Sequence, residues 1–217
     1  MLDWRAGDVP VSVRFDDPYY SLENGLEETC HVFLSGNGLP ARFRNGFQVA
    51  ELGFGTGLNL LASLKAWRAA GVPGMLRFTS FEAYPMSPAD MIRAQAGFAG
   101  LERLAAELAP HWGAPVIELR DLRFELIEGD ARETLPRWPG RADAWYLDGF
   151  SPAKNPELWG EALMAQVAAH TAPFGTVATY TAAGFVRRGL AAAGFEVARQ
   201  PGYGRKRHMS VARKAPE

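Results

Sequence analysis

The chain has a single cysteine, Cys30, among 217 residues, so it cannot form an internal disulfide. A structural zinc site built on several thiolates is excluded for the same reason. Long apolar runs are also missing, since no stretch approaches the roughly 20 residues of a membrane-spanning helix. The first ten residues carry Asp3, Arg5 and Asp8 where a secretory peptide has an apolar segment. These absences predict a cytoplasmic protein with no membrane partner.

Net charge is also small, because 23 basic and 24 acidic side chains leave −1. Proteins that coat nucleic acid non-specifically carry a large positive charge instead. The charge is unevenly distributed, however: residues 182–217 hold eight Lys and Arg against two Glu, a local +6, so the remainder carries −7. This asymmetry indicates either an anionic partner at the C-terminal end or an ordinary solvated basic tail.

Strand and helix patterns alternate from Phe47 onward, which predicts a mostly parallel sheet covered by helices on both faces. The last two strands, at 195–198 and 209–212, flank only a short turn and must be antiparallel. The predicted fold is therefore doubly wound α/β with seven strands and a terminal antiparallel hairpin, an arrangement that resembles the Rossmann-like class I methyltransferase fold. Residues 1–45 lack a long hydrophobic period, which predicts an N-terminal appendage packed on the core. Residues 46–217 are predicted to form that core as a single domain.

A glycine turn, Gly53-Phe54-Gly55-Thr56-Gly57, joins the first regular strand to a helix and is preceded by Glu51. Glycine adopts positive φ and lets a ligand approach the backbone. The G-x-G-x-G spacing differs from the dinucleotide pattern G-x-G-x-x-G, so the helix need not receive a pyrophosphate. An acidic residue before the turn also suits a ligand without phosphate. S-adenosylmethionine, with its amino acid group and sulfonium charge, matches these requirements.

Each of the first four regular strands ends in an acid: Glu51, Glu82, Asp130 and Asp148. In a doubly wound sheet the ligand lies outside the carboxyl ends of the strands. Glu82 is placed to accept hydrogen bonds from two ribose hydroxyls. Asp130 either accepts from an adenine amino group or caps the helix that starts at Ala131.

The loop that begins Asp148-Gly149-Phe150 follows the fourth strand. A carboxylate there can orient an acceptor amine and take its proton, and an aromatic ring can stack on a base. Together they suit N-methylation of a nucleobase substituent. The alternative is an ordinary Asp-Gly turn with Phe150 in the core. No serine lies in a G-x-S-x-G elbow and the four histidines lack metal-ligand spacing, so no metal is expected.

Four motifs carry a family resemblance: E-L-G-F-G-T-G-L-N from Glu51, D-G-F-S-P-A-K-N-P from Asp148, A-A-G-F-V-R-R-G-L from Ala182, and G-Y-G-R-K-R-H-M from Gly202. They resemble the methyltransferase part of the MnmC-type tRNA-modifying enzymes over nearly the whole chain. The resemblance implies methyl transfer from S-adenosyl-L-methionine to the 5-aminomethyl group of wobble (2-thio)uridine in tRNA, giving 5-methylaminomethyl(-2-thio)uridine. In fused relatives an FAD-dependent oxidase acts first; here we expect no FAD, and a separate oxidase acting upstream.

The resemblance also implies roles for particular residues. Those implied for the cofactor are Glu51, Gly53, Phe54, Gly55, Gly57, Asn59, Glu82, Asp130 and Asp148. Those implied for catalysis are Asp148 and Phe150. Those implied for closing over the pocket or meeting RNA phosphates are Tyr19, Tyr20, Asn24, Lys154, Arg187, Arg188, Arg205, Lys206 and Arg207. Ser151 and His208 depart from the family pattern, where alanine and glutamate are expected, and leave the fine substrate preference open.

Two other hypotheses compete with this one. The same cofactor pocket suits a methyltransferase for a small-molecule or protein amine, which predicts turnover without RNA and little salt dependence. A non-catalytic module that keeps the fold predicts that Asp148→Ala leaves the function intact.

Overall fold

The computed structural model describes residues 2–5, 9–19 and 24–215 of the chain. Within them, one large sheet forms the core and a small sheet lies near the N-terminus. The strands are β1 (Leu2–Arg5), β2 (Val9–Ser12), β3 (Asp17–Pro18), β4 (Gln48–Leu52), β5 (Leu76–Glu82), β6 (Val116–Glu118), β7 (Leu122–Glu128), β8 (Ala142–Leu147), β9 (Thr171–Thr179), β10 (Phe195–Pro201) and β11 (His208–Lys214). The α-helices are α1 (Gly25–Thr29), α2 (Leu58–Ala70), α3 (Pro88–Gln95), α4 (Glu102–Leu108), α5 (Ala131–Thr134), α6 (Glu161–Ala169) and α7 (Gly184–Ala192).

The large sheet has the strand order β10-β11-β9-β8-β4-β5-β7-β6. Its five central strands, from β9 to β7, pair in parallel, and β10 and β11 form the antiparallel hairpin. The predicted Rossmann-like fold and its terminal hairpin are confirmed. The predicted strand count of seven is corrected to eight, because β6 pairs antiparallel with β7 at the edge. This strand has only three residues, of which only Ile117 is buried, so it is too short to show a hydrophobic period in the sequence.

Helices cover both faces of the sheet, and each face has its own apolar cluster. Successive strand residues point to opposite faces. Val49 of β4 therefore packs in one cluster with α2, whereas Ala50 packs in the other with α6 and α7. Helix α2 is buried along most of its length and ends at Gly71, whose left-handed conformation (φ +65°) terminates it.

The N-terminal residues form a three-stranded antiparallel sheet, β1-β2-β3. The alternation at 11–15 predicts a strand, but β2 occupies Val9–Ser12 and residues 13–16 form a turn. Asp16 adopts a positive φ of 47° there, a conformation that a non-glycine residue seldom takes. This turn reverses the chain and carries the next residues toward the carboxyl ends of β4 and β8.

Over the described parts of the chain, we find no helix with both the length and the apolar character that a membrane crossing requires.

Candidate active site

One cleft with a volume of about 1360 Å³ opens at the carboxyl edge of the large sheet. Its walls come from the segments that follow β4, β5, β7 and β8, with the turn around Phe15 and the start of α1 on the remaining side. Pockets for one drug-sized ligand measure roughly 300–1,000 Å³. The cleft therefore has room for a cofactor and part of an acceptor side by side.

The glycine turn after β4 lies directly against the loop after β8. Gly53 has φ +88°, and a Cβ added to it would lie 1.9 Å from the Asp148 carbonyl oxygen. Gly55 has φ +54°, and its Cβ would lie 3.1 Å from the Tyr19 ring. Glycine at these positions thus brings the predicted cofactor loop, the predicted acceptor loop and the N-terminal segment together.

Two residues of the predicted cofactor set, Phe54 and Gly57, pack against core side chains. The Phe54 ring is 4% exposed and stacks on Phe124 at 4.9 Å between centroids. Gly57, with φ +72°, adjoins the Phe54 ring and Gln95. Phe54 also lines the cleft, and its backbone N–H donates to Glu82.

The Glu82 carboxylate holds the glycine turn in place. Its Oε2 accepts from the N–H groups of Phe54 (3.0 Å) and Gly55 (3.2 Å), and its Oε1 accepts from that of Tyr84 (2.8 Å). Burial raises the pKa of Glu82, although these backbone hydrogen bonds act in the opposite direction. A carboxylate has about four acceptor sites and the backbone already uses at least three of them, so Glu82 can take at most one further donor, such as one ribose hydroxyl.

Asp130 is a helix cap that also lines the cleft. Its Oδ1 accepts from the Arg132 N–H at 2.9 Å, and the Arg132 guanidinium pairs with its carboxylate at 2.5 Å. The guanidinium lowers the pKa of Asp130 and keeps it ionised. Of the two predicted roles, the structure shows capping directly.

Glu51 lies behind the cleft wall and is 0% exposed. Its Oε2 accepts from Ser80 Oγ at 2.7 Å and its Oε1 from Asn59 Nδ2 at 2.8 Å. Burial raises the pKa of Glu51 well above its usual range, which favours the neutral acid. Asn59 and Asp148 are among the residues that line the cleft in front of it. Glu51 therefore supports the site from within the core.

Asp148, from the loop after β8, lines the cleft. Its Oδ2 accepts from Asn59 Nδ2 at 2.7 Å. Burial raises the pKa of Asp148 to about 7, while the Asn59 hydrogen bond and the Lys206 charge partly offset this. A carboxyl group with such a pKa can take up and release a proton near neutral pH, as a general base requires.

Phe150 is packed by aromatic side chains of the N-terminal segment. The Phe15 ring stacks on it at 4.6 Å and 26°, and the Tyr19 ring meets it edge-on at 5.0 Å. Its loop is fixed from the other side, where Trp159 Nε1 donates to the Phe150 carbonyl at 3.0 Å. Sequence reasoning missed Phe15; the available signal was its place directly before the turn-forming residues Asp16-Asp17-Pro18.

Of the three residues predicted to close the pocket, two lie in the described part of the chain, and they have different surroundings. Tyr19 lines the cleft, and burial raises the pKa of its hydroxyl to about 12, so it stays neutral. Tyr20 lies outside the described residues. Asn24 is exposed at the start of α1, where its carbonyl accepts from the Glu28 N–H at 3.0 Å.

Two lysines predicted to meet RNA phosphates, Lys154 and Lys206, line the cleft and are exposed. Lys154 Nζ lies 3.3 Å from Asp17 Oδ1. Lys206 Nζ pairs with Glu28 at 2.7 Å and lies 4.2 Å from the centre of the Tyr180 ring. Their ammonium groups thus tie the N-terminal segments to the walls of the cleft.

The predicted arginines lie on α7 and on the turn between β10 and β11. Arg188, Arg205 and Arg207 are exposed, and the half-buried Arg187 donates from Nε to the Ala182 carbonyl at 3.3 Å. Helix α7 follows β9, and the turn follows β10; β9 and β10 run in the same direction, so both segments lie at the carboxyl edge where the cleft opens. A basic surface therefore adjoins the mouth of the cleft.

Comparisons with known proteins agree with this arrangement. A family model described as S-adenosyl-L-methionine-dependent methyltransferase matches residues 101–215, just over half of the chain. The tRNA 5-methylaminomethyl-2-thiouridine biosynthesis bifunctional protein MnmC of Aeromonas hydrophila is 45% identical over 233 aligned positions, which cover 99% of this chain and 35% of the relative. The protein of the same name from Caulobacter vibrioides is 47% identical over 97% of this chain and 37% of the relative.

Among solved structures, MNMC2 from Aquifex aeolicus superimposes with a TM-score of 0.81 and 25% identity, covering 99% of this chain and 70% of that one. The chain spans about a third of the length of the two MnmC relatives.

Proposed function

Because the chain belongs to a family of S-adenosyl-L-methionine-dependent methyltransferases, we propose that it methylates the 5-aminomethyl group of wobble (2-thio)uridine in tRNA. The observation that carries the proposal is the direct contact between the Gly53 turn and the Asp148 loop inside one cleft. A cofactor on the turn and an amine beside Asp148 would then be neighbours. The MnmC relatives, named for 5-methylaminomethyl-2-thiouridine biosynthesis, support this acceptor.

The residues at the glycine turn fit S-adenosyl-L-methionine. A Cβ at Gly55 would press on the Tyr19 ring, so the backbone there is kept bare and close to the cleft. Glu82 has acceptor capacity left for the ribose, and Asp130 stands further along the same wall for the adenine amino group. Thr56 and Asn59 flank the start of α2, where free N–H groups meet the carboxylate end of an amino acid.

When bound, S-adenosyl-L-methionine would supply an electrophilic methyl group, whose bond to the sulfonium sulfur breaks as the new N–C bond forms, leaving neutral S-adenosylhomocysteine. Asp148 takes the proton from the acceptor ammonium, so that the nitrogen lone pair is free to form the new N–C bond. Phe150, held by Phe15 and Tyr19, offers an aromatic surface to the uracil ring. The proton then passes from Asp148 to solvent, which a pKa of about 7 allows at neutral pH.

The test is a single-turnover reaction of the chain with methyl-labelled S-adenosyl-L-methionine and tRNA bearing 5-aminomethyluridine. We expect label in this tRNA and none in the same tRNA without the aminomethyl group. The reaction needs no FAD if the acceptor is supplied ready-made, as expected when a separate oxidase acts upstream. Transfer to a small amine but not to tRNA would favour the alternative acceptor class. A tRNA substrate would also place the protein in the cytoplasm.

We further propose that residues 46–217 form the catalytic domain and that residues 1–45 complete its acceptor side. Phe15 and Tyr19 support this proposal because both rings contact Phe150. The Asp17 carboxylate adds a polar tie, since its Oδ2 accepts from the Ser151 N–H at 3.2 Å.

Charge reversal at the basic surface is expected to weaken tRNA binding. Changing Arg187, Arg188, Arg205 and Arg207 to glutamate should raise the Kd for tRNA by about tenfold or more and flatten its salt dependence, since each lost phosphate contact lowers the slope by about one. The Kd for S-adenosyl-L-methionine should stay within about threefold. Filter binding from 50 to 300 mM salt and calorimetry measure the two.

The matched control reverses Arg120 and Arg141, which are exposed at the amino ends of β7 and β8, on the opposite edge of the sheet. Its tRNA affinity should remain close to that of the parent. Equal losses in the two variants would mean that general charge, and not this surface, determines binding.

A further inference from the structure

Asn59 lies between the two carboxyl groups at the centre of the site. Its Nδ2 is 2.8 Å from Glu51 Oε1 and 2.7 Å from Asp148 Oδ2, so one amide group donates to both. The side chain is 4% exposed and sits in the first turn of α2, directly after the glycine turn. The helix therefore fixes the point from which the amide reaches the two carboxyl groups.

At the other end of the amide, Asn59 Oδ1 is buried and accepts no hydrogen bond from the described residues. A buried acceptor without a donor is unfavourable, so the amide orientation must be set by its NH₂ end. Rotating the amide by half a turn would place Oδ1 against the Asp148 carboxylate, where no donor lies between the two oxygens once that group is ionised. The Asp148 carboxylate thus favours the orientation in which Nδ2 donates.

We propose that Asn59 is a positioning residue that holds Asp148 Oδ2 and so directs the other oxygen of that carboxylate, Asp148 Oδ1, toward the acceptor amine. The same hydrogen bond stabilises the ionised form of Asp148. The proposal rests on the methyl-transfer function proposed above. Glu51 has a part in it as the second anchor, because it is sealed from the cleft and reaches Asp148 through this amide. Ser80 fixes the far oxygen of Glu51 at 2.7 Å.

The charged and titratable groups around Asp148 come from four parts of the structure. Lys206, from the turn after β10, lowers the pKa of Asp148, and Glu28, from α1, raises it. Burial raises the pKa of Glu51, from β4, and that of Tyr180, which follows β9, and the Asp148 charge adds to both shifts. Hydrogen bonding to an ionised carboxylate lowers its pKa, and Asn59 makes that contribution. Removal of the amide leaves burial and the acidic neighbours to dominate.

The test titrates Asp148 directly, by NMR of the protein labelled with ¹³C at the aspartate carboxyl carbon. The Asp148 resonance is assigned from its loss in Asp148→Asn. In Asn59→Ala we expect the Asp148 pKa to rise by about one unit or more, since a hydrogen bond to a charged group is removed. The acidic limb of the kcat–pH profile should move by the same amount, so that raising the pH restores part of the lost rate.

The matched control is Ser63→Ala, one turn further along α2. Ser63 is also buried and its hydroxyl contacts Tyr146 Oη at 3.0 Å, away from Asp148. This variant should lose stability without moving either titration. Asn59→Ser, whose hydroxyl is too short to span both carboxyl groups, replaces the alanine variant if that one does not fold.

An Asp148 pKa that stays within 0.3 unit of the parent in a folded Asn59 variant overturns the proposal, as does a kcat lowered equally at every pH. The NMR titration needs no acceptor. A parent protein inactive on aminomethyl tRNA would therefore contradict the proposed function, while the titration still decides the role of Asn59.

Discussion

Replacing Asp148 with asparagine is expected to lower kcat by a factor of about 10² to 10⁴, the usual contribution of a positioned general base. Asparagine has nearly the same shape, so the close approach of the Gly53 and Asp148 backbones should be retained. The proton acceptor is removed while the cleft is retained. The rate should be measured in single turnovers at saturating S-adenosyl-L-methionine, with cofactor affinity followed by calorimetry.

The pH profile provides an internal check on this variant. Since burial raises the pKa of Asp148 to about 7, the parent kcat should rise with pH through that value as the carboxyl group ionises. The limb should be absent from Asp148→Asn. A variant that loses cofactor affinity but keeps its saturated rate would show that Asp148 binds the cofactor and is not a base.

Asp143→Asn is the matched control, because Asp143 lies near the start of β8, the strand that Asp148 directly follows. It is 9% exposed and structural: its carboxylate pairs with Arg44 at 2.6 Å and accepts from the Gln48 N–H at 2.9 Å. We expect lower stability with little change in kcat. Comparable rate losses in both variants would indicate a general effect of altering β8.

The features that sequence could predict are those fixed by near neighbours along the chain. The strand at Ala142–Leu147, the helix after Gly57 and its end at Gly71 follow from local period and from glycine conformations. The meeting of the acidic strand ends follows from parallel pairing, since carboxyl ends then share one edge. Asp130 shows the limit of this logic, because a cap on α5 and a ligand contact have the same local pattern.

Contacts between distant segments could not be predicted in the same way. Lys154 and Lys206 carry the basic character expected of RNA contacts, yet their partners Asp17 and Glu28 lie 137 and 178 residues away in sequence. The Phe15–Phe150 stack is equally long-range. Charge and aromaticity predict which residues can interact, whereas the path of the N-terminal segment over the sheet edge decides which of them do.

Replacing Gly53 with alanine is expected to cost about 3 kcal/mol of stability and most of the activity. The added Cβ would stand 1.9 Å from the Asp148 carbonyl oxygen, a backbone atom that cannot rotate away. The positive φ of 88° adds strain of its own. Relief requires the β4 turn and the β8 loop to separate, which displaces Asp148 from the cofactor side. Urea unfolding and single-turnover rates measure the two effects.

Gly194→Ala separates these causes, because Gly194 has nearly the same φ, +94°, but its Cβ would meet nothing within 4 Å. This control should cost about 1 kcal/mol, from backbone strain alone, and leave kcat unchanged. The difference between the two variants measures how tightly the turn and the loop must approach. If Gly53→Ala cost no more than Gly194→Ala and kept its rate, methyl transfer would not depend on that contact. The close approach of cofactor turn and acceptor loop would then be a feature of packing rather than of catalysis.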